Sequence, residues 1–166
     1  MAIIILDVGA TIQGESILKT DKIDVLAVNH SVELPIAVDK SSGRTRGRSQ
    51  HGEIELIKSI DKSSANLYFA CSKGQNLGDV TISLFKNQED GPAEFFRYNL
   101  TQTYVSHIAV ETFRDEGGVF SDSIVEKVKL NYATVRWTYT SFDSSGQPSG
   151  TIVKSWDVQA GTEAVG

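Results

Sequence analysis

The stretch GEIELIKSIDKSSANLYFACSKG, Gly52 to Gly74, changes character in the middle. Its first part, to about residue 60, reads as a β-strand, and the part from about 62 to 73 reads as a short helix. Asp61, Ser63 and Ser64 offer side-chain oxygens to the unpaired N–H groups of a helix start. Leu67, Ala70 and Cys71, with Tyr68 at the margin, fall on one apolar face at helical spacing. Lys73 suits the negative end of the helix dipole, and Gly74 can take the left-handed stop conformation. A helix this short and amphipathic is expected to pack across an opening in β-structure.

On either side of it, period-2 patterning and β-branched residues dominate. Strands are expected near 3–9, 22–34, 52–60, 79–87, 94–111, 124–142 and 151–158. Turn-forming residues punctuate them at Lys40 to Gly43, Asn87 to Pro92, Arg114 to Gly118 and Asp143 to Gly150. Two long strands change phase. Val128, Leu130 and Tyr132 share one face while Val135, Trp137 and Tyr139 take the other, and Phe96-Tyr98-Leu100 slips against Val105-His107-Ala109. A bulge or sharp bend exchanges the buried face in this way, and bent strands that serve two sheets let a small sheet curl up. One helix among these strands points to a mainly β barrel or sandwich capped on one side.

The 166 residues fit one domain. With 21 acidic against 16 basic side chains the chain carries a net charge of −5, which argues against a nucleic-acid binder. A single cysteine, Cys71, leaves no intramolecular disulfide. The start, Met1-Ala2-Ile3-Ile4-Ile5-Leu6-Asp7, lacks the basic residues and long apolar run of a cleavable signal. No segment approaches the roughly 20 apolar residues of a membrane helix.

Few residues suggest chemistry. Gly43-Arg44-Thr45-Arg46-Gly47-Arg48-Ser49 lacks the spacing of a phosphate-binding loop, so the 40–52 segment is expected to be a solvated, mobile loop. Its alternating arginines can otherwise meet acidic groups on a neighbouring copy. His30, His51 and His107 have no metal-ligand spacing, and Cys71 on an apolar face reads as a small hydrophobe. Trp137, Tyr139 and Trp156 suit a strand core or interface better than a sugar or lipid pocket. Along 22–34, Leu26, Val28, His30, Val32 and Leu34 are expected against the core. The alternate set, Val25, Ala27, Asn29, Ser31 and Glu33, becomes small and polar, as on a wall facing solvent or a water-filled channel.

Ile12-Gln13-Gly14-Glu15-Ser16 resembles the Gly-Glu-Ser turn of the hemolysin-coregulated protein (Hcp) family. Ile23-Asp24-Val25-Leu26 resembles the opening of that family's second strand. Ile60-Asp61-Lys62-Ser63-Ser64, with Leu67 and Ala70-Cys71-Ser72-Lys73-Gly74, resembles its helix and flanks. Val105-Ser106-His107-Ile108, Leu130-Asn131-Tyr132-Ala133 and Trp137-Thr138-Tyr139 continue the likeness in order over nearly the whole chain.

The resemblance implies one domain over 1–166, a small two-sheet β-barrel with one flanking α-helix, without the C-terminal toxin extension of some relatives. It implies a structural subunit of the type VI secretion inner tube, not an enzyme, with no cofactor, metal or catalytic residue. Homohexameric rings would stack inside a contractile sheath behind a tip spike protein and carry small effector proteins in the lumen, without nucleic acid or membrane insertion. Such a protein resides in the bacterial cytoplasm and is then secreted without a cleaved signal peptide. On this reading Arg44, Arg46 and Arg48 belong to a ring-stacking loop, and Asn29, Ser31 and Glu33 face the lumen. The alternatives are a monomeric ligand-binding β-barrel and a small hydrolase built around His30 or His107.

Overall fold

A computed structural model describes residues 2–41, 43–114, 117 and 120–165. Seven antiparallel strands form the larger sheet: β1 (Ile3–Asp7), β2 (Ile23–Val25), β9 (Val80–Gln88), β10 (Gly91–Thr101), β13 (Thr134–Phe142), β14 (Pro148–Asp157) and β15 (Thr162–Glu163). Across it the order is β15-β14-β13-β10-β9-β1-β2. The smaller sheet has the order β11-β12-β8-β3, from β3 (Ala27–Asn29), β8 (Ile54–Ser59), β11 (Tyr104–Arg114) and β12 (Phe120–Asn131). Two ribbons complete the β-structure: β4 (Val32–Glu33) with β7 (Gln50–His51), and β5 (Ile36–Asp39) with β6 (Gly43–Arg46). Among the described residues no ladder joins the two sheets, so the barrel is formed by sheets packed face to face. The expected turn at Arg114–Gly118 lies largely outside the described residues.

Inward rows of both sheets build one core. Leu6, Ile23, Ile82, Leu100 and Val135 from the larger sheet meet Ile54, Leu56, Val128 and Leu130 from the smaller. The phase changes in the sequence mark where the chain passes between sheets. The expected strand 94–111 is two strands: β10 ends at Thr101, Gln102 turns the chain at φ 47°, and β11 begins at Tyr104 in the other sheet. Thr103 pins the crossing, donating to Gly78 O (3.1 Å) and accepting from Leu77 N–H (2.8 Å). The expected strand 124–142 divides likewise between β12 and β13, with Ala133 N–H bonded to Thr101 O (3.0 Å).

The expected strand 22–34 is also divided, and its inward set needs correction. Val25 is buried in the larger sheet, while Leu26 is exposed at the step into the smaller one, where its N–H bonds to Ile57 O (2.7 Å). That step reverses the alternation. Val28 packs on the core, whereas Leu26, Val32 and Leu34 are exposed. His107 is displaced from the face of Val105 by a shift in register between them, and Ile108 takes the inward place.

Helix α1 spans Ser64–Lys73 and seals the core with Leu67 and Ala70. Fully burying Leu67 contributes about 1.5–3 kcal/mol. At its start Asp61 Oδ1 accepts the Ser63 N–H (2.9 Å) and Ser64 Oγ accepts the Asp61 N–H (3.0 Å), while the Ser63 hydroxyl caps nothing. Gly74 adopts φ 62°, ψ 44°, and the Gln75 N–H closes on Ala70 O (3.0 Å). Cys71 is half-buried against the core, and Tyr68 and Phe69 face outward.

The same helix end hides a charge. Lys58 follows Ile54 and Leu56 on the inward side of β8 and is 0% exposed. Its ammonium donates to Ser59 O (2.7 Å), Glu126 Oε2 (2.9 Å), Asp61 Oδ1 (3.0 Å) and Ser64 Oγ (3.2 Å). Glu126, 1% exposed, also accepts from Ser64 Oγ (2.8 Å). This network ties α1 to β8 and β12.

Candidate assembly surfaces

The 40–52 segment is a projecting arm rather than an irregular loop. Ile36 pairs with Arg46, Ala37 with Thr45, Val38 with Arg44 and Asp39 with Gly43. Strand alternation therefore places Ile36, Val38, Arg44 and Arg46 on one face of the hairpin. Ile36 is 53% and Val38 74% exposed, and every described residue from Ser31 to Arg48 is exposed. β5 and β6 pack on each other and make no extensive contact with any other strand or the helix. Such a ribbon is marginal in water on its own.

The three arginines do different things. Arg44 and Arg46 stand free of partners among the described residues. Arg48 lies at the root of the arm, where its guanidinium donates to Val158 O (3.1 Å) and Gln159 O (2.6 Å) beyond the end of β14. The Gly47 N–H bonds to Pro35 O (2.8 Å), closing the root.

Asn29 lies on the outward face of the smaller sheet. Register places it in a row with Glu55, Lys129 and His107. Its amide donates to Glu55 Oε1 (3.4 Å), and Lys129 lies 3.9 Å from Glu55 Oε2. Asn29 and Ser31 share a cleft of about 310 Å³ with His30, Glu53 and Glu55. Glu33 is not in that cleft; it pairs with Gln50 in the β4–β7 ribbon.

The histidines and aromatic residues form a packed joint under that ribbon. His30 Nε2 lies 2.7 Å from Tyr132 Oη, which donates to Gly52 O (2.9 Å), so the imidazole N–H faces the phenol oxygen. His51 stacks against both Trp137 and Trp156, at centroid distances of 6.1 and 6.0 Å. Burial, and then the nearby His51, push the His30 pKa below its ordinary value. Burial lowers that of His51 too, and it raises the Tyr132 hydroxyl to about 12. Burial thus disfavours the charged form of both imidazoles, as suits a structural joint. No local pattern pairs His30 with Tyr132, because the two lie far apart in the chain.

Two further clefts carry no local signature in the sequence. A cleft of about 390 Å³ separates the β9–β10 and β13–β14 turns, lined by Glu89, Asp90, Phe142 and Asp143 among others. Asp143 is held below the usual carboxylate range by bonds from the Ser145 hydroxyl and the Gln147 amide. The larger cleft of about 600 Å³, lined by Asp79, Arg97, Asn99 and Arg136, is also predominantly polar. Among the described residues no group of three or more potential ligands gathers to hold a metal, and no helix is long and apolar enough to cross a membrane.

A family model described as "Type VI secretion system effector, Hcp" matches residues 5–139. The chain belongs to the Hcp family of type VI secretion system proteins. Protein hcp1 of Pseudomonas aeruginosa is 28% identical over 156 residues, covering 92% of this chain and 93% of its own length. The Major exported protein of the same organism is 26% identical over 129 residues, or 76% of this chain and 73% of its own. Among solved structures, a type six secretion system protein superposes with a TM-score of 0.85 at 21% identity, covering 99% of this chain and 100% of that one. Hcp1 of E. coli EAEC 042 gives a TM-score of 0.68 at 26% identity, covering 95% and 97%.

The Hcp turn at Ile12-Gln13-Gly14-Glu15-Ser16 has a physical basis here. Ile12 is buried, Gly14 N–H bonds to Asp21 O (3.0 Å) and Ser16 N–H to Lys22 O (2.9 Å). A Cβ on Gly14 would lie 2.7 Å from Ile23 Cα, so only glycine lets the two segments meet.

Proposed function

We propose that this Hcp-family chain is a structural, non-enzymatic subunit of the secretion inner tube, assembling into homohexameric rings that stack and are exported. The observation that carries this reading is the β5–β6 arm, a β-ribbon exposed throughout and without extensive packing on its own chain. A ribbon built to meet another molecule is what a self-assembling subunit needs, and pairing between copies also covers strand edges. The relative named Major exported protein supports export, and family membership supports a sheath and tip spike as partners. The protein resides in the bacterial cytoplasm before firing and is then exported.

In this assembly Arg44 and Arg46 meet the adjoining ring, and Arg48 sets the angle of the arm by clamping its root. Asn29, Ser31 and Glu33 line the lumen that holds small effector proteins. Reversing the charge of Arg44 and Arg46 is expected to weaken stacking while single rings persist, read by sedimentation; unchanged tubes would refute the assignment. Replacing Asn29 or Ser31 by Trp should spare folding and impair effector capture in pull-downs. Normal capture would place those residues elsewhere.

A further inference from the structure

The arm and the acidic cleft lie at opposite poles of the larger sheet. In the β13–β14 ladder Thr134 faces Asp157 at one end, and Phe142 faces Pro148 at the other. Arg48 roots the arm beyond the first end, on the carbonyls of Val158 and Gln159. Glu89 and Asp90 lie in the turn between β9 and β10, beside Asp143 at the second end. From Thr134 to Phe142 the strand runs about 26 Å, at about 3.3 Å per residue. The arm from Gly47 to Gly43 reaches only about 13 Å on the same rise. It therefore cannot reach the cleft of its own chain.

The charges match. Arg44 and Arg46, on one face of the arm, and Glu89 and Asp90, in one turn, are all without partners among the described residues. We propose that the cleft between the β9–β10 and β13–β14 turns of a second copy receives the arm, with Glu89 and Asp90 meeting Arg44 and Arg46. The inference rests on the stacked-ring reading and names the surface that takes the arm. Because the surfaces are unlike and lie at opposite poles, the contact is head-to-tail and propagates into a stack. Each exposed ion pair is weak and screened by salt, so one arm alone holds little. Repetition around a ring multiplies the contact into a firm but reversible one.

The test uses the full chain with Cys71→Ser as background. Arg46→Cys combined with Asp90→Cys, and Arg44→Cys combined with Asp90→Cys, are oxidised gently and run on non-reducing gels. A ladder extending well beyond dimers is expected for at least one pairing, whereas each single-cysteine variant stops at dimers. In parallel, Glu89→Arg/Asp90→Arg should abolish stacking, and adding Arg44→Glu/Arg46→Glu to the same chain should restore it. Intact rings with no ladder and no rescue would overturn the acceptor assignment and leave the ring reading standing. Failure of the unaltered chain to form rings would overturn that reading itself, and the inference with it.

Discussion

Replacing Glu126 by Ala removes a carboxylate from a lysine that has no route to water. Lys58 is 0% exposed, and its ammonium lies 2.9 Å from Glu126. Breaking a buried pair by deleting one partner costs about 3–5 kcal/mol, because an uncompensated charge remains inside. Asp61 stays 3.0 Å from the ammonium, so the expected loss is at the low end, about 3 kcal/mol. For a chain of this size that lowers Tm by about 6–12 °C. Lys58→Met alone should cost as much, since among the described residues it leaves the Glu126 carboxylate with Ser64 as its one side-chain partner. Lys58→Met with Glu126→Leu replaces both ends by apolar groups of similar volume and should recover most of the loss. Urea unfolding followed by circular dichroism, with all variants in the same oligomeric state, measures the cycle. A Glu126→Ala cost below about 1 kcal/mol, or a double variant as weak as the singles, would refute the role given to this network.

Gly14→Ala forces a Cβ against the backbone at Lys22 and Ile23, which cannot swing away as a side chain would. A loss of about 2–3 kcal/mol is expected in thermal or urea unfolding, and near-neutral behaviour would contradict the close approach. The His30 imidazole has its pKa lowered in the folded chain, so its contribution is present above the ordinary value of 6.5 and is lost as pH falls below it. Stability should therefore decline with acidification from about pH 6.5, by up to about 1.4 kcal/mol per pH unit for this group. His30→Gln should flatten the decline; an unchanged slope would show that His30 does not drive it.

The helix, its glycine stop and the two-sheet architecture were legible because they rest on local rules. Leu67 and Ala70 have helical spacing, and the phase slips at Leu100–Val105 and Tyr132–Val135 record the buried face changing at each crossing. Leu26 shows where such rules stop. A single step between sheets reverses the alternation, and nothing in Val25-Leu26-Ala27 announces it. Lys58 sits in an inward register, yet its burial depends on Glu126 on another strand, which a local pattern cannot pair with it. The arm read as a loop because Arg44-Thr45-Arg46 has no apolar alternation; its strand character comes from pairing with Ile36–Asp39 alone. The arginines were visible, but the separate task of Arg48 at the root depended on carbonyls at Val158 and Gln159, far along the chain.

The mass of the purified chain in solution, by light scattering with negative-stain images of the same peak, tests self-assembly most directly. A sixfold mass and annular particles are expected. A folded monomer that stays monomeric at high concentration would contradict self-assembly, and would leave the exposed arm without the partner that its structure implies.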